Sequence, residues 1–514
     1  MSRRGLRIFA LVGVISLLPS LSAAQSKSTS NTDGQEAPLC EDSMEVFTPF
    51  VTGVASGNVP EAMDALAEVL KDPEMEGCHG GAYIRLGGLL EKEGLPYAGA
   101  LAWSQGMQLD PDSTSAEVVT AFLALEERHG DQALMERTFA ENIGFKADKE
   151  TRSKMAYLGA RGSYAQSNYS TALGILSLVQ KDSPDMGKGM ALKGVILTQQ
   201  GRYNDAMAAL LTAQAMVGDD IELLDTVNLN LGRTYYAAGN YPKAIEFYAK
   251  VSRESHWWPE AQFERAWAHF RIQDINGALG ILHTHITPFY DDWYFPEAQL
   301  LRTYSLFLLC KFPDASTQIE AFQTTWTPVR DELQSTVSAM DANAVFNDAR
   351  SYIENGESEL SEMALRDVPY DKSFIEATES VDVAKKELGV LASRSGSWVD
   401  LASGMVQIRH DELIERHGGR IKSQVQGRAD ELTTMLTDTE IAKLDMLRLE
   451  TKLYEQASIT GQIPDAEKKV KRSERVRRGY VSWPYEGEIW ADEVGYYRVN
   501  ATPECPPGLM AGGQ

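Results

Sequence analysis

The sequence predicts an all-α protein: a solenoid of stacked helical pairs, then a long-helix hairpin, then an aromatic tail in extended conformation. Three observations predict it. Pairs of mostly small residues stand twelve positions apart eight times between residues 50 and 315. Past residue 330 that rhythm fades, yet apolar residues continue at steps of three, four or seven. From residue 479 the composition changes again, to a segment dense in Trp and Tyr.

Residues 1–24 carry the three parts of a secretory signal. Arg3, Arg4 and Arg7 form its positive end, Ile8 to Leu21 its apolar core, and Ser22-Ala23-Ala24 a small-residue cleavage site. The core is short and contains Pro19, which disfavours a permanent membrane anchor. Ser2 to Leu6 partly matches a twin-arginine signal, with general secretion as the default route. Beyond residue 24 no apolar run is long enough to span a bilayer. The expected mature chain is soluble and outside the cytoplasm, in a bacterial periplasm or outer envelope. Residues 25–42, opening on a stretch rich in Ser, Thr, Asn and Gln, are expected to form a flexible linker.

Residues 43–330 hold the repeats. The second member of each pair is alanine: Ala62, Ala100, Ala133, Ala172, Ala206, Ala244, Ala278 and Ala315. Twelve positions earlier stand Phe50, Gly88, Ala121, Ala160, Gly194, Gly232, Ala266 and Thr303. Successive units are 33 to 39 residues apart. Each unit reads as two amphipathic helices crossing closely at small side chains, and one such pair cannot bury its apolar face alone, so neighbours must stack. The clearest copy runs from Leu231 to Ile245, with Gly232 at the small position, Tyr235 and Tyr248 at aromatic ones, Ala244 as the alanine and Gly239-Asn240 at the turn. This unit resembles the tetratricopeptide repeat. The resemblance is strongest in the units of Gly194, Gly232 and Ala266 and weaker around Phe50 and Ala121. It implies a right-handed superhelix with a concave inner wall and a role as scaffold or peptide receptor.

Tetratricopeptide domains bind through first-helix positions on the concave wall. The positions carried over are Leu229, Arg233 and Tyr236 in one unit, Phe263, Trp267, Phe270 and Arg271 in the next, and Leu300, Tyr304 and Phe307 in the last. Arg233 and Arg271 among aromatic side chains suit recognition of a partner's carboxylates, a composition typical of binding hot spots. The alternative for this stripe is packing between repeats, or permanent cover by the aromatic tail.

Residues 331–478 carry the apolar seam Val381, Ala384, Leu388, Leu391, Trp398, Ala402 and Met405, continued by Ile441, Leu444, Leu447 and Tyr454. This predicts long helices of coiled-coil character folded back as a hairpin, with breaks at Gly418-Gly419 and Gly461 to Pro464, the seam forming an intramolecular core. The region ends in the basic cluster Lys468, Lys469, Lys471, Arg472, Arg475, Arg477 and Arg478, read as a solvated helix end. Residues 479–514 form the tail, too apolar to stay in water and so expected to dock.

Four cysteines in an oxidising compartment allow three connectivities. Cys40 and Cys78 flank the first repeat, and Cys310 falls at a turn within reach of Cys505 in the tail. The expected bridges are Cys40–Cys78 and Cys310–Cys505. Their spacing does not suit a zinc site.

The chain is acidic, with a formal net charge of −24, which disfavours nucleic acid and anionic lipid. His283 with His285, and His410 with His417, fit no His-Glu-x-x-His pattern, and neither a Gly-x-Ser-x-Gly elbow nor a phosphate-binding glycine loop occurs. Thr378-Glu379-Ser380 is an isolated match to the acidic centre of cell-wall lyases. No catalysis and no cofactor are therefore expected. The whole arrangement resembles envelope tetratricopeptide proteins of gliding and predatory delta-proteobacteria. That resemblance implies a periplasmic scaffold binding a protein partner in an envelope complex, linked to surface motility. The alternatives are a cell-wall-associated adaptor that recruits an envelope enzyme, or a peptidoglycan hydrolase.

Overall fold

The structure, a computed structural model, describes residues 46–129, 131–290, 293–460 and 489–505. The signal sequence, the linker, Cys40 with its expected bridge, and the basic cluster lie outside the described residues. Twenty α-helices and no strand occur among the described residues. The first sixteen form eight pairs: α1 (Thr48–Ser56) with α2 (Val59–Lys71), α3 (His79–Lys92) with α4 (Pro96–Leu109), α5 (Ala116–His129) with α6 (Gln132–Glu141), and α7 (Lys149–Ala165) with α8 (Tyr169–Leu176). They continue with α9 (Met186–Gln199) and α10 (Tyr203–Met216), α11 (Ile221–Ala237) and α12 (Tyr241–Tyr248), α13 (Trp258–Arg271) and α14 (Ile275–Leu282), and α15 (Pro296–Leu308) and α16 (Phe312–Ala339). Each second helix also packs on the first helix of the next pair, so the array is a continuous stack.

Each of the eight sequence anchors falls on its expected helix. The alanines are buried except for Ala133, and the earlier members are buried from Ala160 onward. In the second pair the close crossing lies one residue before Gly88: a Cβ on Gly87 would stand 2.9 Å from the Gly99 carbonyl oxygen, whereas one on Gly88 would meet nothing within 4 Å. The turns share one device. Gly57, Gly94, Ser167, Gly201, Gly239, Gln273 and Cys310 all adopt positive φ, the left-handed conformation that ends a helix sharply. At three of these turns the next residue then caps the following helix: Asn58, Asn240 and Asp274 each accept a backbone N–H three residues on, as Asp131 does at the start of α6.

Four helices follow: α17 (Ala342–Asn355), the short α18 (Glu362–Leu365), α19 (Lys372–Leu391) and α20 (Ser397–Thr460). Helix α16 runs through Pro328 to Ala339, so residue 330 lies inside a helix; buried Phe322, Trp326, Leu333 and Val337 keep one apolar stripe across the proline. The hairpin is formed by α19 and α20, with the bend at residues 392–396 rather than at Gly418-Gly419. Helix α20 passes through both glycines unbroken. Gly418 there serves a close crossing, because a Cβ would stand 1.9 Å from the Ala342 carbonyl oxygen at the start of α17.

At 64 residues, α20 extends for about 96 Å at 1.5 Å per residue. Its first turns, through Trp398, Val399, Ala402 and Val406, share a core with the first repeats. Further on, Met446 packs with Leu279, Phe312 and Ile319 of α14 and α16. The helix therefore bridges early and late pairs of the solenoid. Polar ties fix it at the early end. The Asp64 carboxylate accepts the Ser397 hydroxyl (3.0 Å) and the Trp398 N–H (3.1 Å), and Glu387 of α19 accepts the Tyr97 and Ala98 N–H groups (2.8 and 2.9 Å) at the start of α4. Buried Arg409 forks onto Asp131 at 2.6 and 2.8 Å. The seam residues Val381, Ala384, Leu391, Trp398 and Ala402 are buried. Ile441, Leu444, Leu447 and Tyr454 are exposed instead, because Ala442, Met446 and Leu449 form the packed face of that stretch.

Candidate functional site

Leu229, Arg233 and Tyr236 on α11 are spaced four and three residues apart, as are Phe263, Trp267 and Phe270 on α13 and Leu300, Tyr304 and Phe307 on α15. That spacing keeps each trio on one helix face. Leu229, Phe263 and Leu300 are buried and serve packing, with Trp258, Phe295 and Trp326 respectively in their clusters. The other residues of the ten, Arg233, Tyr236, Trp267, Phe270, Arg271, Tyr304 and Phe307, are half-buried. Arg233 is engaged within the chain: its guanidinium binds Glu264 at 2.7 and 2.8 Å and Glu260 at 2.5 Å, joining α11 to α13. Arg271 donates to the Tyr241 hydroxyl at 2.6 Å and lies over that ring, 5.1 Å from its centroid. Tyr236 meets the same Tyr241 edge-on at 5.2 Å, Trp267 meets Phe270 at 5.6 Å, and Phe307 meets Phe312 at 5.9 Å.

The C-terminal helices stand against part of this wall. The Tyr294 hydroxyl donates to the Arg428 carbonyl of α20 at 2.8 Å, and the Arg428 guanidinium covers the Tyr294 ring. Tyr370 stacks on His256 at 5.0 Å, and Arg366 lies over Trp293. Two carboxyls here, Glu260 and Glu297, lose their usual acidity. Burial pushes Glu260 up to about 7; Arg233 opposes the shift, while Glu264 and Asp367 add to it. Burial pushes Glu297 up to about 7 as well, with Glu431 of α20 adding to it. Burial also raises the Tyr236 and Tyr304 phenols to about 12. The wall thus offers aromatic surface, a cation held by a tyrosine, and two carboxyls, Glu260 and Glu297, with raised pKa. Among the described residues, no group of three or more His, Cys, Asp and Glu is placed to hold a metal ion.

The described part of the tail, residues 489–505, docks chiefly on the second helix α14. It runs antiparallel along one stripe of α14 and the turn after it. The Gly495 N–H donates to the Thr284 hydroxyl (3.1 Å), and Tyr497 passes over Gly280 and meets His283 edge-on at 4.5 Å. Asn276 brackets Ala501, donating to its carbonyl (3.1 Å) and accepting its N–H (2.9 Å). Beyond, the Glu504 N–H donates to the Leu309 carbonyl (2.9 Å) and Lys311 pairs with Glu504. That main-chain bond and a disulfide between Cys310 and Cys505, with Cα atoms 5.0 Å apart, fix the tail to the turn between α15 and α16. Residues of α20 and the segment around Tyr370 thus stand against part of the first-helix wall, while the tail covers the second helix α14 and, through Val494 and Gly495, packs on Trp258 at the start of α13 in the cluster that holds Leu229.

Asn276, Gly280 and Thr284 were not among the expected site residues, although their spacing of four marks one face of a helix and its exit. Neither were Glu387, Arg409 and Asp131, which tie the C-terminal helices to the repeats. Single charged residues on helices carry no such signal until the partner helix is in place.

Residues 229–282, spanning the α11/α12 and α13/α14 pairs, match the tetratricopeptide repeat family. No curated protein matches the chain. Among solved structures, the crystal structure of the P58(IPK) TPR domain matches at 12% identity, over 78% of this chain and 99% of that one, with a TM-score of 0.18. A score that low carries no argument about fold or function.

Proposed function

We propose that this chain is a non-catalytic scaffold that holds a protein partner in a bacterial envelope complex serving surface motility. The observation that carries the reading is the family match over residues 229–282, since repeats of this type suggest protein–protein interaction. The half-buried Tyr236, Trp267, Phe270, Arg271, Tyr304 and Phe307 supply the wall for it, rich in the aromatic and arginine side chains that dominate binding energy. Export to the periplasm is supported by the charged, apolar and small-residue parts of residues 1–24.

Two experiments test this. Affinity capture from the native envelope is run with the wild-type chain and with Trp267→Ala plus Arg271→Ala. Loss of a co-purifying protein with the variant is expected, and unchanged capture overturns the wall as the binding surface. A fusion of residues 1–24 to alkaline phosphatase, active only outside the cytoplasm, should be active; an inactive, expressed fusion overturns the location.

A further inference from the structure

The C-terminal helices meet the repeats through apolar cores at both ends of the stack. Trp398, Ala402 and Val406 join the first pairs, and Leu413, Ile421 and Leu432 share a core with Leu300, Phe322 and Trp326 of the last pair. Between those ends the contact is of another kind. Among the described residues, no buried apolar cluster joins α11 or α13 to the C-terminal helices. Residues 366–372 bridge the gap with polar and aromatic groups instead. Tyr370 lies nearly parallel to His256 at 5.0 Å, Lys372 pairs with Glu222 of α11 at 2.9 Å, and Arg366 lies over Trp293. On their other side Leu365 and Val368 sit in the C-terminal core, and Arg428 of α20 binds Asp367 at 2.5 Å and the Ala364 carbonyl at 2.8 Å. The junction carries one negative charge too many. Glu260 and Glu264, one turn apart on α13, share the single guanidinium of Arg233 at 2.5 and 2.7 Å. Glu264 is buried and also accepts the Tyr248 hydroxyl of α12, with Tyr236 of α11 and Glu297 of α15 facing it. Across the junction, half-buried Glu260 faces Asp367.

We propose that this junction is a proton-operated latch, which holds residues 366–372 against α11 and α13 while Glu260 carries a proton and loosens when Glu260 and Asp367 are both charged. The charge count gives the reason. Arg428 balances Asp367, so with both glutamates ionised two carboxylates rest on Arg233 alone and the excess faces Asp367. With a proton on Glu260, Arg233 balances Glu264, and the neutral carboxyl still accepts a hydrogen bond from the guanidinium. The sign of the pH dependence follows. Burial holds the Glu260 carboxyl up to about 7, against Arg233, with Glu264 and Asp367 adding to it. Opening the junction takes Asp367 away and admits water, which makes the carboxyl more acidic. The closed state therefore binds the proton more tightly and is favoured below about pH 7, losing ground as pH rises from the open-state value toward 7. His256 titrates on the acid side of that window, because burial lowers its imidazole and Lys372 adds to this, although Glu222, Asp367 and Asp225 oppose it.

Hydrogen exchange of the full-length chain at pH 5.5 and pH 8, corrected for the intrinsic pH dependence of exchange, tests the latch from both sides: residues 252–261 on the repeats and residues 366–372 opposite. A half-unit difference in the Glu260 value between closed and open states changes the opening equilibrium about threefold. Protection of both segments is therefore expected to fall at least threefold from pH 5.5 to pH 8 in the wild type. Glu260→Gln keeps the shape without the charge and should hold the low-pH protection at both pH values. Wild-type protection that does not change with pH, or a fall that persists in Glu260→Gln, overturns the proposal. Should Glu260→Gln fail to fold, Asp367→Asn decides: it should shrink the fall below threefold, and a fall as large as that of the wild type overturns the proposal. Trp267 and Arg271 take no part in the latch, so the capture experiment above can fail without affecting this one.

Discussion

Replacing Arg409 by methionine removes the cation that α20 inserts between the second and third helical pairs. Its side chain is 3% exposed and that of Asp131 is 6% exposed, so the pair is out of water. Asp131 holds two contacts besides: it accepts the Tyr97 hydroxyl at 2.8 Å and the Leu134 N–H at 3.1 Å as the cap of α6. Removing one partner of a buried pair costs about 3–5 kcal/mol, and the surviving hydrogen bonds place the expected loss near the lower end, about 3 kcal/mol. Asp131→Asn keeps the cap and the tyrosine contact without the charge, so Arg409→Met with Asp131→Asn should be less damaged than Arg409→Met alone. The pH dependence has a definite sign. Burial works to raise the Asp131 carboxyl, but Arg409 and the hydrogen bonds outweigh it and hold the group below its ordinary value. The wild type therefore keeps this contribution above about pH 4 and loses it as pH falls through the depressed value. In Arg409→Met burial prevails and the carboxyl rises, so protonation relieves the variant first. The stability gap should narrow between pH 7 and pH 5. Urea unfolding by circular dichroism, with hydrogen exchange of residues 397–420, measures both effects. A gap below about 1 kcal/mol at pH 7, or one that does not change with pH, refutes the reasoning.

Gly418 and Gly419 should respond in opposite directions. Gly418→Ala forces the start of α17 away from α20 and should destabilise by about 1–3 kcal/mol, whereas Gly419→Ala meets nothing within 4 Å and should stabilise the helix by up to about 1 kcal/mol; equal thermal shifts would contradict this. Burial lowers the His285 imidazole to about 4, although its Nε2 sits 2.9 Å from the Pro259 carbonyl oxygen. An unfolded histidine titrates near 6.5, so the unfolded chain takes up the proton first, and stability should fall between pH 6.5 and 4 by roughly 2 kcal/mol at pH 5. A His285→Gln variant with an unchanged pH slope of unfolding would count against that.

The repeat was legible because its cause is local. Two helices that cross closely need small residues at a fixed separation, and a sharp turn needs a residue that tolerates positive φ, so Gly232, Ala244 and Gly239 recur at set offsets whatever surrounds them. Cys310 shows the limit of that logic. Its place at the turn follows from the repeat, while the direction of the tail that reaches it follows from Val494, Asn276 and Gly280, which are unremarkable in the sequence. The expected break at Gly418-Gly419 failed for a related reason: two glycines weaken a helix, but here the neighbouring α17 needs the missing side chain.

The candidate wall divides in the same way. Its helix faces could be read from spacings of three and four, including Trp267, Phe270, Tyr304 and Phe307. Whether those faces meet solvent, one another or α20 could not. Periodicity determines which side of a helix is apolar, because 3.6 residues make a turn. Only the tertiary structure decided what lies opposite: Glu260 and Glu264 for Arg233, the C-terminal helices for α15, and the tail for α14. Those contacts join residues tens to hundreds of positions apart, and their energy exists only once the partner surfaces have been brought together.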